Sequence, residues 1–84
     1  MVMHPHEYKR VISYRKLAEA LRQARLRAGF SQTEAGLLVG RGRQWVSKIE
    51  TLEVKLDLIQ LILLCKAYNL KAHDLVRRME EGVP

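Results

Sequence analysis

The segment from Ser31 to Glu50, SQTEAGLLVGRGRQWVSKIE, limits the fold most strongly because it holds two helix-start signals separated by glycines. Ser31 followed by Glu34 is a capping box, in which each side chain binds an otherwise unpaired backbone N–H at the helix start. Gly40 is expected to end this helix, and Gly42 to serve as the N-cap of the next, a position where glycine is tolerated. The pattern predicts two short helices joined by a tight glycine turn.

Apolar periodicity predicts three further helices and no strand. The first is expected from Ser13 to Ala28, followed by Gly29 as a left-handed helix stop. Its inner face carries apolar residues at spacings of three and four, namely Leu17, Leu21, Ala24 and Ala28. This stripe predicts one side of a helical core.

The remaining helices follow the glycine turn. The helix after the turn is expected from Arg43 to Thr51, with Val46 and Ile49 facing inward. Asp57 is a suitable N-cap for a fourth helix, LIQLILLCKAY, which is apolar nearly all round and is therefore expected to be the buried centre of the domain. A last helix is expected over residues 72–80.

Length and patterning define one small all-α domain of five helices. In the chain of 84 residues we expect a flexible N-terminal arm over 1–12, the helical domain over 13–80 and a C-terminal tail over 81–84. The single cysteine, Cys65, excludes an internal disulfide, which suits a reducing cytoplasm. No segment resembles a signal peptide or is long and apolar enough to span a bilayer, so no membrane partner is expected.

The charge favours an anionic partner. Lys and Arg total 15 against 9 acidic residues, a net charge of +6, which indicates nucleic acid first and an anionic membrane surface second. No nucleophile–base arrangement or phosphate-cradling loop is recognisable, so the chain is not expected to be an enzyme or to need a cofactor. His4, His6 and Glu7 are spaced like metal ligands, but three candidates on an arm do not predict a metal site.

Polar residues occupy the outward face of the helix after the turn. If Val46 and Ile49 face inward, the residues that project are Arg43, Gln44, Ser47 and Lys48. Arginine and lysine can bind guanine O6 and N7, and glutamine can pair with adenine N6 and N7. A helix held across a short turn can present such side chains to the major groove of DNA.

The sequence at this point resembles the Cro/C1-type (Xre-like) helix-turn-helix regulators, over most of the chain. The resemblance lies in LRQARLRAGFSQTEAG, in VGRGRQWVSKIE with its hydrophobe-Ser-x-Ile-Glu ending, and in KLDLIQLILLCKAYNL, in this order and at the family's spacing. It implies a five-helix Cro/C1-repressor-like domain and a cytoplasmic, nucleoid-associated regulator of prokaryotic or phage type. It also implies double-stranded DNA as partner.

The resemblance assigns roles position by position. Gln32 matches a residue that contacts a phosphate or the edge of the DNA site, and the outward face of the helix after the turn matches the positions that read bases. Arg25 and Glu50 match a structural salt bridge between the first and third helices. Three positions depart from the family pattern: Ala35-Gly36 in place of Leu-Ala, Gly42 in place of a Ser or Thr cap, and Lys71 in place of an acidic cap. These departures suggest a marginally stable domain that dimerisation or DNA stabilises.

Two residues keep alternative interpretations. Trp45 either packs against the sugar–phosphate backbone or covers the seam between the second and third helices, filling the space left by Ala35. Arg41 either binds a phosphate from the turn or is an ordinary solvated arginine. The predicted DNA-contacting set is Gln32, Arg41, Arg43, Gln44, Trp45, Ser47 and Lys48.

The resulting hypothesis is a sequence-specific transcriptional regulator, with no catalytic residues, that represses by occupying a two-fold symmetric operator as a homodimer. One helix reads too few bases to define a site, so two half-sites about one helical turn apart are expected. Alternatives are an antitoxin that masks a toxin and autoregulates its operon, or a protein-interaction module that retains the fold without reading DNA. Toxin and RNA polymerase are the possible protein partners. Several apolar residues either close the core or form the dimer interface, namely Tyr14, Tyr68, Leu70, Leu75 and Val76.

Overall fold

A computed structural model describes residues 5–51, 53 and 55–82, with side chains for residues 14–51, 53 and 55–81. Within these ranges the chain forms five helices and no strand. They are α1 (Pro5–Arg27), α2 (Gln32–Leu38), α3 (Arg43–Glu50), α4 (Leu58–Ala67) and α5 (Ala72–Gly82). The prediction of an all-α fold with five helices is confirmed.

The two ends of the helical domain lie further out than the sequence predicted. The helix α1 begins at Pro5 instead of Ser13, so residues 5–12, expected to form an arm, are helical. Proline is favourable at the first helical position, because its missing N–H needs no partner there, and residues 6–28 contain no proline or glycine. The helix α5 likewise continues to Gly82, two residues into the predicted tail.

Local side-chain caps define the starts of α2 and α4. The Oγ of Ser31 accepts a hydrogen bond from the N–H of Glu34, whose Oε1 accepts one from the N–H of Ser31, both at 3.0 Å. Asp57 and Gln60 form a second capping box at the start of α4, with distances of 2.8 and 3.1 Å. Gly29, with φ of +83°, follows α1 in the left-handed conformation predicted for it. The predicted starts of α2 and α4 are therefore correct.

All five helices contribute residues to one core. Its buried residues are Ala20, Leu21, Ala24, Ala35, Val46, Ile49, Leu64, Cys65, Tyr68 and Leu75. Burial raises the pKa of the Cys65 thiol, which therefore behaves as a small apolar group at neutral pH. Of the residues considered for a dimer interface, Tyr68 and Leu75 belong to this core, whereas Val76 is exposed.

The prediction that α4 is buried all round is wrong. Leu64 and Cys65 are buried, but Leu58 and Ile59 are each 66% exposed and Leu63 is 48% exposed. The helix packs against α5 and α2 on one side, and a chain this short has too few elements to cover the other side. The helix α4 therefore presents an uncovered apolar face. None of the described helices is long and apolar enough to cross a membrane.

A close backbone approach fixes the turn between α2 and α3. The N–H of Arg41 donates to the carbonyl oxygen of Gly36 at 2.7 Å. A Cβ placed at Gly36 would lie 2.8 Å from the carbonyl carbon of Gly42 and 2.9 Å from the oxygens of Arg41 and Gly42. The departure from the family pattern at Gly36 is thus a requirement of the turn, because the opposing atoms are backbone and cannot rotate away.

We predict that Gly36→Ala destabilises the domain although alanine is the better helix former. The added methyl group must push the turn away from α2, and overpacking of this kind costs about 1–3 kcal/mol. Gly42→Ser is the control, because Gly42 has an ordinary φ of −89°, a Cβ placed there would meet no atom within 4 Å, and serine is favoured at the N-cap position that Gly42 occupies. Urea denaturation of both variants measures the difference, and equal midpoints would contradict the steric argument.

Candidate nucleic-acid interface

The helix α3 is held on α2 by its apolar side. Val46 and Ile49 are buried against the core, as predicted from their spacing, and Ala35 of α2 is fully buried beside them. Gly42 is the N-cap of α3 and provides no side-chain hydrogen bond, so the start of this helix is fixed by the turn instead. The packing therefore determines which face of α3 points outward.

The structure brings the predicted base-reading residues to that outward face. Arg43, Gln44 and Lys48 are exposed, and Ser47 is half-buried at the edge. Among the described residues, no carboxylate lies within ion-pair distance of Arg43, Lys48 or Arg41. Their charges are therefore not neutralised within the described part of the molecule.

The helix dipole adds to the positive potential at the start of α3. Arg43 occupies the first helical position, and the first turn contains no acidic residue. The backbone N–H groups there carry partial positive charge, which makes a cation unfavourable and an anion favourable. This end of α3 has the electrostatics of a surface that binds a polyanion.

The ion pair between Arg25 and Glu50 joins α1 to the end of α3. The Nε of Arg25 donates to Oε2 of Glu50 at 2.7 Å and its Nη2 donates to Oε1 at 3.0 Å. Only 8% of the arginine side chain and 5% of the glutamate side chain are exposed. The Nη1 of Arg25 donates to the carbonyl oxygen of Phe30 at 2.8 Å, just before α2 begins. One guanidinium therefore connects three successive helices.

The contact with Glu50 stabilises the ionised form of Arg25. The hydrogen bond to Glu50 raises the pKa of Arg25, against an opposing effect of burial. Burial, and then the negative charge of Glu50, raises the pKa of Tyr68 to about 12. The phenol beside the pair is therefore neutral at physiological pH.

Gln32 has a structural contact that the sequence did not reveal. Its Nε2 donates to Oε1 of Glu50 at 3.2 Å, so the side chain supports the ion pair. Sequence reasoning placed Gln32 at the DNA edge from the family resemblance alone. Nothing in the spacing of Gln32 and Glu50 indicates this contact, because the two residues meet only when α2 packs against α3.

Arg41 and Trp45 form a unit that the sequence interpretation did not include. The Cζ of Arg41 lies 5.4 Å from the centroid of the Trp45 ring, within the range of a cation–π contact. Trp45 is half-buried and packs against the core, which agrees with the interpretation that it covers a seam. The four-residue spacing of the two is a weak signal of their contact, since Arg41 precedes the start of α3.

Comparison with known proteins agrees with this geometry. A model of the helix-turn-helix domain family matches residues 16–82. A solved structure, described as an XRE-family like protein from Pseudomonas syringae pv. tomato str. DC3000, superposes with a TM-score of 0.79 at 32% sequence identity, covering 86% of this chain and 88% of that one. The chain belongs to the XRE/Cro-type helix-turn-helix family. No curated protein sequence is detectably similar to it.

Membership of this family supports a DNA-binding regulator. In this XRE-family chain, the helix-turn-helix corresponds to α2 and α3, and the exposed basic face belongs to the second of these helices.

The possible metal ligands His4, His6 and Glu7 lie outside the described side chains. Elsewhere, among the residues with described side chains, no group of three His, Cys, Asp or Glu residues could hold a metal ion.

We predict that Arg25→Ala lowers the free energy of unfolding by about 3–5 kcal/mol, because it leaves the Glu50 carboxylate buried without its partner. Arg22→Ala is the control: Arg22 pairs with Glu19 at 3.6 Å on the surface, with 47% and 60% of the side chains exposed. Surface pairs contribute about 0–1 kcal/mol. Chemical denaturation measures the free energy of unfolding of both variants. Similar decreases in the two would show that the buried pair contributes no more to stability than the surface pair does.

Proposed function

We propose that the protein is a sequence-specific transcriptional regulator that places α3 in the major groove of double-stranded DNA. The observation that carries the proposal is the outward face of α3, where polar and basic side chains project from a helix fixed on its other side by the core. A rigid helix is suited to this role, because hydrogen bonds to base edges discriminate only when the side chains start from a fixed backbone.

The residues divide into base-reading and backbone-binding groups. Arg43 has the donors for guanine O6 and N7, and Gln44 has the donor and acceptor for adenine N6 and N7. Lys48 and Ser47 complete the reading face. At the groove edge, Gln32 and Arg41 would bind the sugar–phosphate backbone, and Trp45 would lie beside them in contact with Arg41. This division follows the position of each side chain along α2, the turn and α3.

The exposed basic face also favours DNA over the alternative of a protein-interaction module. Within the described residues, Arg43 and Lys48 have no carboxylate partner, and the phosphates of DNA would supply one. We infer repression by occupancy in the cytoplasm: the bound protein covers an operator and excludes RNA polymerase. No described contact specifically favours a toxin as partner.

We further propose that two copies associate through the uncovered apolar face of α4, formed by Leu58, Ile59 and Leu63. Residues 58–64 contain no charged side chain, in a chain with a net charge of +6, so two copies can approach there with least repulsion. A stable interface buries about 800 Å² on each partner, more than three side chains provide. We therefore expect a weak dimer that DNA binding strengthens.

We predict from the proposed DNA binding that the protein selects a two-fold symmetric consensus from a random duplex DNA pool. In that consensus, Arg43→Ala should relax one defined position, because losing a bidentate contact removes about 1–3 kcal/mol of discrimination. Arg77→Ala is the control, since Arg77 is an exposed arginine on α5 and belongs neither to the proposed DNA-contacting set nor to the proposed α4 dimer face. Absence of any enriched sequence would refute the operator hypothesis.

The second prediction is that Ile59→Glu abolishes self-association and changes the DNA complex from two protein copies to one. A charge placed in the apolar face must be desolvated opposite its symmetry mate, which opposes pairing. Leu26→Glu introduces the same charge at another exposed leucine, on α1, and should leave the stoichiometry unchanged. Sedimentation velocity with and without the selected duplex measures both, and a two-copy complex of Ile59→Glu would exclude the α4 face.

A further inference from the structure

The contact between Arg41 and Trp45 restricts an arginine at the edge of the proposed DNA interface. The guanidinium lies over the indole, with Cζ 5.4 Å from the ring centroid. The ring attracts the cation through its π face and accepts no conventional hydrogen bond, so the N–H groups of Arg41 remain available as donors. Guanidinium donors match the geometry of phosphate oxygens, so Arg41 can bind a phosphate while it keeps its contact with the ring.

The backbone on both sides of this contact is already fixed. The N–H of Arg41 donates to Gly36 at 2.7 Å, and the N–H of Trp45 donates to the carbonyl oxygen of Gly42 at 3.1 Å. Trp45 is also half-buried against the core. The exposed Arg41 side chain is therefore the part of the unit that the backbone hydrogen bonds do not fix, and the indole is the surface that it contacts.

Arg41 has no competing anion in the described part of the chain. No carboxylate in the described residues lies within ion-pair distance of Arg41. In Arg25, by contrast, each guanidinium nitrogen donates a hydrogen bond to Glu50 or Phe30. The indole face attracts the cation but leaves its charge unneutralised. The position of Arg41, two residues before the first residue of α3, places that charge beside the face that carries Arg43.

We propose that Trp45 is a positioning residue, which holds the guanidinium of Arg41 at the groove edge so that it binds a phosphate of the DNA backbone. The proposal rests on the proposed DNA-binding function and extends it. Ordering a long side chain on binding costs conformational entropy. A side chain that already contacts an aromatic ring in the free protein loses less conformational entropy when it binds. Trp45 thus contributes to affinity through Arg41, with no hydrogen bond of its own to the DNA required.

The test measures how much Arg41 contributes to affinity in three backgrounds: the wild type, Trp45→Phe and Trp45→Leu. The probe is the duplex selected by the wild-type protein, and the contribution is the ratio of dissociation constants with and without Arg41→Ala. We expect this ratio to fall in the order Trp, Phe, Leu, by about two- to fivefold in total, the size of an exposed cation–π contact. In the wild-type background, Arg41→Ala should also reduce the slope of log K against log salt by about 0.9, the loss of one phosphate contact.

Arg43→Ala provides the matched control. Its effect on affinity should be the same in all three backgrounds, because Arg43 does not contact the indole ring. A general loosening of α3 in the Trp45 variants would instead change the effects of Arg41→Ala and Arg43→Ala together. Should Trp45→Leu not fold, the comparison of tryptophan with phenylalanine still measures the coupling.

The outcomes separate the positioning role from the function itself. If the wild-type protein binds DNA and Arg41→Ala changes the dissociation constant by the same factor in every background, Trp45 does not position Arg41. The proposed DNA-binding function would then still stand. An Arg41 ratio that falls while the Arg43 ratio stays constant supports it. If the wild-type protein binds no duplex DNA, both the function and the positioning role fail.

Discussion

The bidentate ion pair between Arg25 and Glu50 is the interaction on which the arrangement of α3 depends. It joins α1 to the last residue of α3, and the same guanidinium binds the carbonyl oxygen of Phe30 before α2. Gln32 adds a hydrogen bond to Glu50 from α2. Because the pair is buried, its geometry is restrictive: any shift of α3 separates charges that water cannot reach. The pair therefore fixes the orientation of α3 more than it adds net stability.

The cations of the chain serve opposite purposes according to their partners. Arg25 is buried on α1, and each of its three guanidinium nitrogens donates a hydrogen bond to Glu50 or to the carbonyl oxygen of Phe30. Arg41, Arg43 and Lys48 are exposed and have no carboxylate partner in the described part of the chain. Arg41 and Arg43 lie at the start of α3, where the helix dipole makes a positive charge unfavourable. A bound phosphate would offset this unfavourable interaction, so the arrangement destabilises the free protein slightly and favours an anionic partner.

The turn and the uncovered face of α4 both reflect the small size of this domain. Gly36 permits the backbone of the turn to lie directly on α2. On α4, Leu58 and Ile59 remain largely exposed, since no element in the described part of the chain covers them. A small domain buries a smaller fraction of its surface than a large one, which is consistent with this exposure.

Local interactions made much of this structure predictable from the sequence. The starts of α2 and α4, the left-handed Gly29 and the inward positions Val46 and Ile49 need only residues within a few positions of each other, so their patterns are visible in the chain. The pairing of Arg25 with Glu50 was accessible only through the family resemblance.

Packing between distant segments decided the rest. The hydrogen bond of Gln32 to Glu50 and the exposure of Leu58 on α4 depend on which helices meet and how many neighbours each acquires. The stacking of Arg41 on Trp45 depends equally on the path of the turn. The sequence by itself determined where helices begin and which faces are apolar, because capping and periodicity are short-range. Only the tertiary structure decided which apolar faces are covered and which polar groups are bound, because those depend on contacts between residues far apart in the chain.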